Sequence, residues 1–319
     1  MLVASCILIL GTAGAHAAER KVFKVGILTT AMSPWHPDTE GFRKGLRELG
    51  YVEGHNLTFE LRAARGDMTR LPQLAEELVR EKPDLLYCVA TSSARACQQA
   101  TAVIPIVSAG IDDPVAAGLV GSLARPGGNL TGIANLRAEL TAKRLQLFKE
   151  LVPSLRRVLV TYDPREPDEL EAVTVARNAA MRLDLTLIEN PIISRLDIEP
   201  GLTQLEDGGP DGILIVQPAQ NLDIPGRSLE VATSNGIPTM YPQQFWTRYG
   251  ALASYGPDQT VQGYQAARLA DRILKGMTPA TLPFELPDTF EFVVNLKTAK
   301  RLGLRLPEPA LLLVDTFIE

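Results

Sequence analysis

Ile104-Pro-Ile-Val-Ser-Ala-Gly-Ile-Asp-Asp-Pro-Val-Ala-Ala-Gly-Leu-Val-Gly-Ser-Leu-Ala-Arg-Pro-Gly-Gly-Asn-Leu-Thr-Gly-Ile133 reads from left to right as strand, loop, helix, turn and strand. Ile104 to Val107 is a short unbroken apolar run of the kind that becomes a buried strand, and Asp112, Asp113 and Pro114 end it as a loop. The Ala, Leu and Val residues that follow predict a short helix. Arg125-Pro-Gly-Gly-Asn turns the chain, and Leu130 to Ile133 is the next apolar segment. Buried strands separated by helices belong to α/β sheets, where ligands gather at the carboxyl ends of strands. Asp112 and Asp113 therefore stand where chemistry is expected, either as a carboxylate pair or, for an Asp before Pro, as a helix cap.

The same alternation extends in both directions. Upstream, Val22 to Thr29 is a near-continuous apolar strand, followed by a polar loop from Thr30 to Pro37 and a helix carrying Phe42, Leu46 and Leu49 that closes at Gly50. A strand over Asn56 to Leu61, a helix with Leu71, Leu74, Ala75, Leu78 and Val79 on one face, and a strand over Leu85 to Ala90 come next. Downstream the pattern restarts. Val158 lies 133 residues after Val25, Pro210-Asp211 lies 127 after Pro83-Asp84, and Ile237-Pro238 lies 133 after Ile104-Pro105. Two similar doubly wound, Rossmann-like α/β lobes account for this spacing better than one continuous sheet, because each half holds its own strand–helix series. The chain then continues with a strand over Ala251 to Ser254, a long helix from Asp258 to Lys275, a Pro-rich segment, a strand over Phe290 to Asn295 and a tail rich in Leu and Pro.

The 319 residues carry a formal net charge of -5 and 45% apolar residues, a balance that argues against nucleic acid as a partner. Residues 1–18 read as a secretory signal peptide with an Ala15-His16-Ala17 cleavage pattern, although the first Lys or Arg is Arg20; an uncleaved anchor, or a lipid on Cys6, are the alternatives. In the mature chain only Cys88 and Cys97 remain, and two buried thiols are expected, with a bridge left open by their spacing. Dinucleotide and Walker glycine loops, Gly-x-Ser-x-Gly and His-Glu-x-x-His are all missing, so no enzyme and no cofactor are expected. His36 and His55 read as solvated surface residues.

What remains is a set of polar and aromatic groups at strand ends: Thr29, Thr30 and Ser33; Thr91, Ser92 and Ser93, at the start of a helix; Ser108 and Asp112; and, in the second half, Tyr162, Gln217 and Tyr241. Three hydroxyls at a helix N-terminus can cap the helix or hold an anionic group of a ligand, and a cleft between two lobes is a common place to enclose a small molecule.

Several segments carry a family likeness. Ile104-Pro-Ile-Val, Asp113-Pro-Val, Gly118-Leu-Val, Ser122-Leu and Arg125-Pro-Gly-Gly-Asn-Leu-Thr-Gly132 resemble the extracytoplasmic substrate-binding proteins of ABC transporters, in the branch that includes tryptophan and tyrosine binders. Gly50-Tyr-Val-Glu-Gly-His-Asn, Ala142-Lys-Arg-Leu, Leu151-Val-Pro, Ser254-Tyr-Gly, Ile273-Leu-Lys-Gly and Phe292-Val-Val-Asn-Leu-Lys-Thr-Ala-Lys agree with it. The resemblance implies a type I periplasmic-binding-protein fold, with crossings near residues 133–137, 253–256 and 283–289 forming a three-segment hinge. The implied division is a first lobe of 19–134 plus 256–285 and a second of 135–255 plus 286–319. It further implies a monomeric periplasmic protein that captures a small organic solute, an aromatic or carboxylate compound, and delivers it to a membrane permease. Thr91 to Ser93 match the family's carboxylate-holding helix start, whereas the loop of Thr30 to Pro37 differs from better-known members. A periplasmic sensory domain and an α/β enzyme of another type are the alternatives. On this reading, substitution of Gly127 or Gly128 disturbs folding or closure more than ligand choice.

Overall fold

The computed structural model describes residues 21–31, 36–135, 137–164, 167–192, 197, 209–216 and 223–319. The expected leader at 1–18, Ser33, Gln217 and the helix around Leu202 and Leu205 lie outside these residues. Strands β1 (Phe23–Thr29), β2 (Leu57–Ala63), β3 (Leu85–Val89), β4 (Ile106–Ile111) and β5 (Leu130–Ala134) form a parallel sheet in the order β2-β1-β3-β4-β5. Alternate residues of these strands feed two cores. Val25, Ile27, Tyr87, Val107 and Ile133 pack beneath α1 (Pro37–Glu48) and a later helix, while Leu28, Leu86, Cys88, Ile106 and Leu130 pack beneath α2 (Leu71–Arg80) and α3 (Thr91–Ala100). Burial on both faces is why these strands read as near-continuous apolar runs.

The second sheet contains β6 (Arg157–Tyr162), β7 (Thr186–Pro191), β8 (Gly212–Ile215), β9 (Thr239–Tyr241), β10 (Ala253–Pro257), β11 (Phe290–Asn295) and β12 (Thr316–Ile318). Its order is β7-β6-β8-β9-β10-β11-β12, so its first five strands repeat the winding of the first sheet. Helices α4 (Arg137–Leu151) and α5 (Pro167–Arg182) cover one face through Phe148, Leu151, Ala172 and Ala176. The other face packs on α6 (Asp223–Ser234) and α7 (Phe245–Arg248) through Leu229 and Trp246.

The repeated dipeptides have one physical cause. Asp84 Oδ2 accepts from the Lys24 amide at 2.8 Å, and Asp211 Oδ2 accepts from the Arg156 and Arg157 amides at 2.7 and 2.9 Å. In each lobe the Asp before the third strand thus pins the start of the first. Pro105 O accepts from Leu86 N at 2.8 Å and Pro238 O from Ile213 N at 2.9 Å, so the Ile-Pro pair sets the register of the fourth strand in both lobes. A proline suits the first position of such a strand because its missing N–H falls outside the ladder.

Three segments cross between the sheets. The first runs from Ala134 at the end of β5 to Arg137 at the start of α4. The second follows Pro257, since β10 extends to that residue and leads through Asp258 into α8 (Gln259–Leu274), which packs on the first sheet. The third passes from Glu285, bridged to Ile133, to Phe290 at the start of β11. The chain closes with α9 (Leu296–Arg301), α10 (Glu308–Leu311) and β12, which turns the Leu- and Pro-rich tail into an edge strand parallel to β11.

Helices α1 and α8 run side by side at a spacing only glycine permits. A Cβ on Gly41 would lie 2.0 Å from Thr260 O, and one on Gly263 would lie 2.2 Å from Asp38 O. Tyr51 anchors the exit from α1 by donating its hydroxyl to Asp271 Oδ1 at 3.0 Å.

Three expectations are corrected. Residues 114–118 form turns instead of a helix, with Asp113 Oδ1 accepting from the Val115 and Ala116 amides at 2.8 and 3.0 Å and Gly118 at φ +66° breaking the path. Cys88 and Cys97 are joined as a disulfide instead of standing as two buried thiols. Gly128 has open space where a Cβ would go; Gly132 is the tight position, where a Cβ would meet Ser108 O at 2.1 Å.

Candidate ligand-binding cleft

The first two crossings leave the carboxyl ends of β5 and β10, and each is too short to round a sheet. The carboxyl edges of the two sheets therefore face each other. In each sheet the winding reverses between the first and third strands of the lobe, which places switch points at β1/β3 and β6/β8. Loops diverge there and leave a crevice at the sheet edge.

At the first switch point β1 ends on Thr29, which is fully buried. Its Oγ1 accepts from the Ala31 amide at 3.1 Å, so this hydroxyl shapes the loop, and Thr30 beside it is half-buried. Across the switch, β3 passes into α3 through Ala90, whose φ of +76° and ψ of 160° are unusual for a residue with a side chain. No side chain caps α3, so the first amides of the helix point outward without a protein acceptor from a cap. Thr91 and Ser92 are half-buried at this start. Ser93 is fully buried, and its Oγ has no hydrogen-bond partner. An uncapped helix start beside an orphaned hydroxyl has the chemistry that suits an anionic group.

On the neighbouring strand Asp112 follows β4 with 4% exposure, and Ile111 O accepts from Asn135 N at 2.7 Å. Asp112 thus brings a carboxylate to the edge next to the α3 start. Ser108 sits inside β4 instead, where its hydroxyl donates to Cys88 O at 2.5 Å; that bond ties strand to strand and turns the group away from the edge. His36, expected as a solvated surface residue, is only 22% exposed at its side chain, with Nδ1 2.7 Å from Asp38 Oδ2 in the first turn of α1.

In the second lobe Tyr162 ends β6, its phenol 3.5 Å from Glu189 Oε2; burial, then that carboxylate, raise its pKa. Tyr241 ends β9 but is fully buried against Trp246, with ring centroids 5.3 Å apart, among Leu159, Ile213 and Ile215. Burial alone pushes its phenol far above the usual range, so it stays neutral. Thr29, Thr30, Thr91, Ser92, Ser93 and Asp112 therefore share the first lobe's edge and Tyr162 the second's, whereas Ser108 and Tyr241 are turned into structure.

A group of hinge residues escaped the sequence reading. Gln262 Nε2 donates to Asn135 Oδ1, joining α8 to the first crossing. Gln265, fully buried, donates to Leu286 O at 2.9 Å and accepts from Asp288 N at 3.1 Å, holding the third. Asp258 caps α8 through the Thr260 and Val261 amides at 2.8 and 3.2 Å while its own amide donates to Thr289 O at 3.1 Å, joining the second crossing to the third. Arg144, with no exposed surface, donates from Nε to Tyr255 O at 2.7 Å and supports the end of β10. The available signal was the spacing of Gln259, Gln262 and Gln265, which share a helical face with Gly263 and Ala266, a small-residue stripe that marks a buried side.

Residues 33–317 match the family model described as ABC transporter substrate binding protein. A tyrosine-binding protein of Clostridioides difficile is 32% identical over 276 residues, 85% of this chain and 79% of that one. A Streptococcus pneumoniae ABC domain solved in complex with L-Trp superposes with a TM-score of 0.83 at 26% identity, covering 93% of this chain and all of that one. The ligand-free, open structure of a Clostridium difficile substrate-binding protein with adhesive properties superposes with a TM-score of 0.70 at the same identity, covering 93% of this chain and 99% of that one. Among the described residues no helix is long and apolar enough to cross a membrane, and no group of three His, Cys, Asp or Glu could hold a metal ion.

Proposed function

The chain belongs to the ABC transporter substrate-binding protein family, and from that premise we propose that it is a non-catalytic periplasmic receptor delivering a small organic solute to a membrane permease. Residues 1–18 serve as its export signal, and the mature protein acts as a monomer. Its first lobe takes 19–134 and, beyond the crossing after Pro257, 258–285; its second takes 135–257 and 286–319, and the solute is enclosed between them.

The observation that carries the reading is the α3 start: outward amides, Thr91 and Ser92 beside them, and a buried Ser93 hydroxyl without a partner. Such a group holds a carboxylate by several hydrogen bonds, reinforced by the helix dipole. The Asp112 carboxylate on the adjoining strand supplies an opposite pole, which suits an ammonium. Together they fit an α-amino acid, with Tyr162 available to an aromatic side chain from the second lobe. The tyrosine- and tryptophan-binding relatives support this class. Closure on solute couples binding to recognition by the permease, because the ligand stabilises the closed state by touching both lobes.

Isothermal titration calorimetry of the mature protein against the amino acids and a set of aromatic acids tests the proposal. Saturable binding of at least one carboxylate compound is expected; no binding by any of them refutes the solute class.

A further inference from the structure

We propose that the Cys88–Cys97 disulfide positions the ligand site, holding the β3–α3 turn in the conformation that presents the α3 amides and the Ser93 hydroxyl. This inference rests on the proposed binding function and concerns a device inside it. The bridge ties the penultimate residue of β3 to the middle of α3, with a sequence separation of 9, and so encloses Ala90, Thr91, Ser92 and Ser93. Ala90 is the pivot of that loop. Its φ of +76° is one that L residues rarely adopt, and its backbone is held by Ala90 N donating to Ala109 O at 2.9 Å and Ala90 O accepting from Ala94 N at 3.1 Å. A relaxation of Ala90 to negative φ would swing the first turn of α3 away from the sheet edge. The bridge opposes that motion by fixing the helix nearly two turns further along, at Cys97.

Two observations separate this role from general stabilisation. Both cysteines are completely buried in the core between α2, α3 and the sheet, where Leu74, Leu78 and Ile106 already pack; a loop this short gains less from cross-linking than a long one. The repeat supplies the second. The corresponding strand and helix of the second lobe are β8 and α6, and no cysteine follows Cys97 in the sequence, so the same strand–helix unit is built there without a bridge. The disulfide therefore belongs to the first lobe's turn and not to the architecture. Polar groups fixed before the ligand arrives lose less entropy on binding, which is the gain the bridge provides.

The test compares the parent with Cys88→Ala/Cys97→Ala, using L-tyrosine and L-tyrosinamide as calorimetric probes. The amide lacks the carboxylate charge and shares the rest of the molecule. The parent should prefer L-tyrosine, and the variant should lose about tenfold or more of its L-tyrosine affinity while its L-tyrosinamide affinity changes by less than about threefold. Amide hydrogen exchange, which needs no ligand, should show faster exchange in the variant at Ala90 and Ala94, whose amides donate to Ala109 O and Ala90 O, with β6 unchanged. Equal losses for both probes, or none, with exchange at Ala90 and Ala94 unaltered, overturn the positioning role. A parent that binds neither probe and none of the wider panel instead refutes the binding function, a distinct result. If the Ala pair does not fold, Cys88→Val/Cys97→Ala refills the strand side and the same readouts apply.

Discussion

Replacing Gly41 by Ala probes the contact that fixes α8, and with it the crossings, to the first lobe. The added Cβ would stand 2.0 Å from Thr260 O, 2.9 Å from Thr260 C and 3.1 Å from its Cα. Ordinary carbon–oxygen contact is about 3.3 Å, so the helices must separate by roughly 1 Å, and the obstructing atoms are backbone that no rotamer can move. Separation also opens the seam at Gly45 and Gly263, where Ala267 Cβ and Asp38 O stand 2.7 and 2.2 Å from the corresponding Cβ positions. Overpacking of this kind costs about 1–3 kcal/mol, and backbone against backbone places Gly41→Ala near the upper end. A loss of about 3 kcal/mol is a sizeable fraction of a typical total of about 5–15 kcal/mol, and lowers the melting temperature by about 6–12 °C for a lobe of this size. Differential scanning calorimetry measures it, with Gly121→Ala as the control, since a Cβ there meets nothing within 4 Å. The control should be neutral or gain about 0.4–1 kcal/mol through the unfolded chain. If Gly41→Ala melted with the parent, the close α1–α8 seam would be refuted.

Other consequences are as direct. Ser93→Ala removes a buried hydroxyl with no partner, so stability should hold or rise while affinity for a carboxylate solute falls about tenfold or more, the value of a hydrogen bond to a charged group; calorimetry and thermal melts read the two separately, and unchanged affinity would remove Ser93 from the site. Gln265→Met keeps the side-chain volume but leaves Leu286 O and Asp288 N without their partner, costing about 1–3 kcal/mol in urea unfolding; a neutral result would mean that water replaces both bonds. The Tyr51 pKa is raised from 10.0 to about 12, by burial first and then by the Asp271 carboxylate that accepts its hydrogen bond. The folded state holds that proton more tightly than the unfolded chain, so the stability it confers is complete below pH 10 and is lost as the pH rises towards 12. The stability difference between the parent and Tyr51→Phe should therefore shrink across that window in alkaline unfolding, and a constant difference would refute the linkage.

Much of the candidate site's position was legible because strand ends follow from apolar runs, and polar residues just after them must lie at the sheet edge. Thr91 to Ser93 and Asp112 were placed at that edge in this way. The method fails where an edge residue turns inward. Tyr241 has a polar tip, yet Trp246 and the isoleucines of β8 enclose it, and Ser108 lies mid-strand because β4 runs to Ile111 instead of ending at Val107. Strand length depends on pairing with β3 and β5, which a single apolar run does not report. His36 escaped for a related reason: its contact with Asp38 exists only because α1 starts one residue later and carries Asp38 in its first turn.

By itself, the sequence determined the doubled α/β winding. Its apolar runs are strands because both sheet faces are buried, and its repeated Pro-Asp and Ile-Pro pairs recur because each lobe pins its strands with the same backbone hydrogen bonds. Tertiary structure alone decided that the buried glutamines of α8 clamp the crossings, that glycines let α1 and α8 touch, and that Cys88 meets Cys97. These are contacts between surfaces distant in the chain or turned by a single dihedral angle. No local periodicity encodes them, because what makes a Gln or a Gly belong at such a position is the backbone that arrives opposite it.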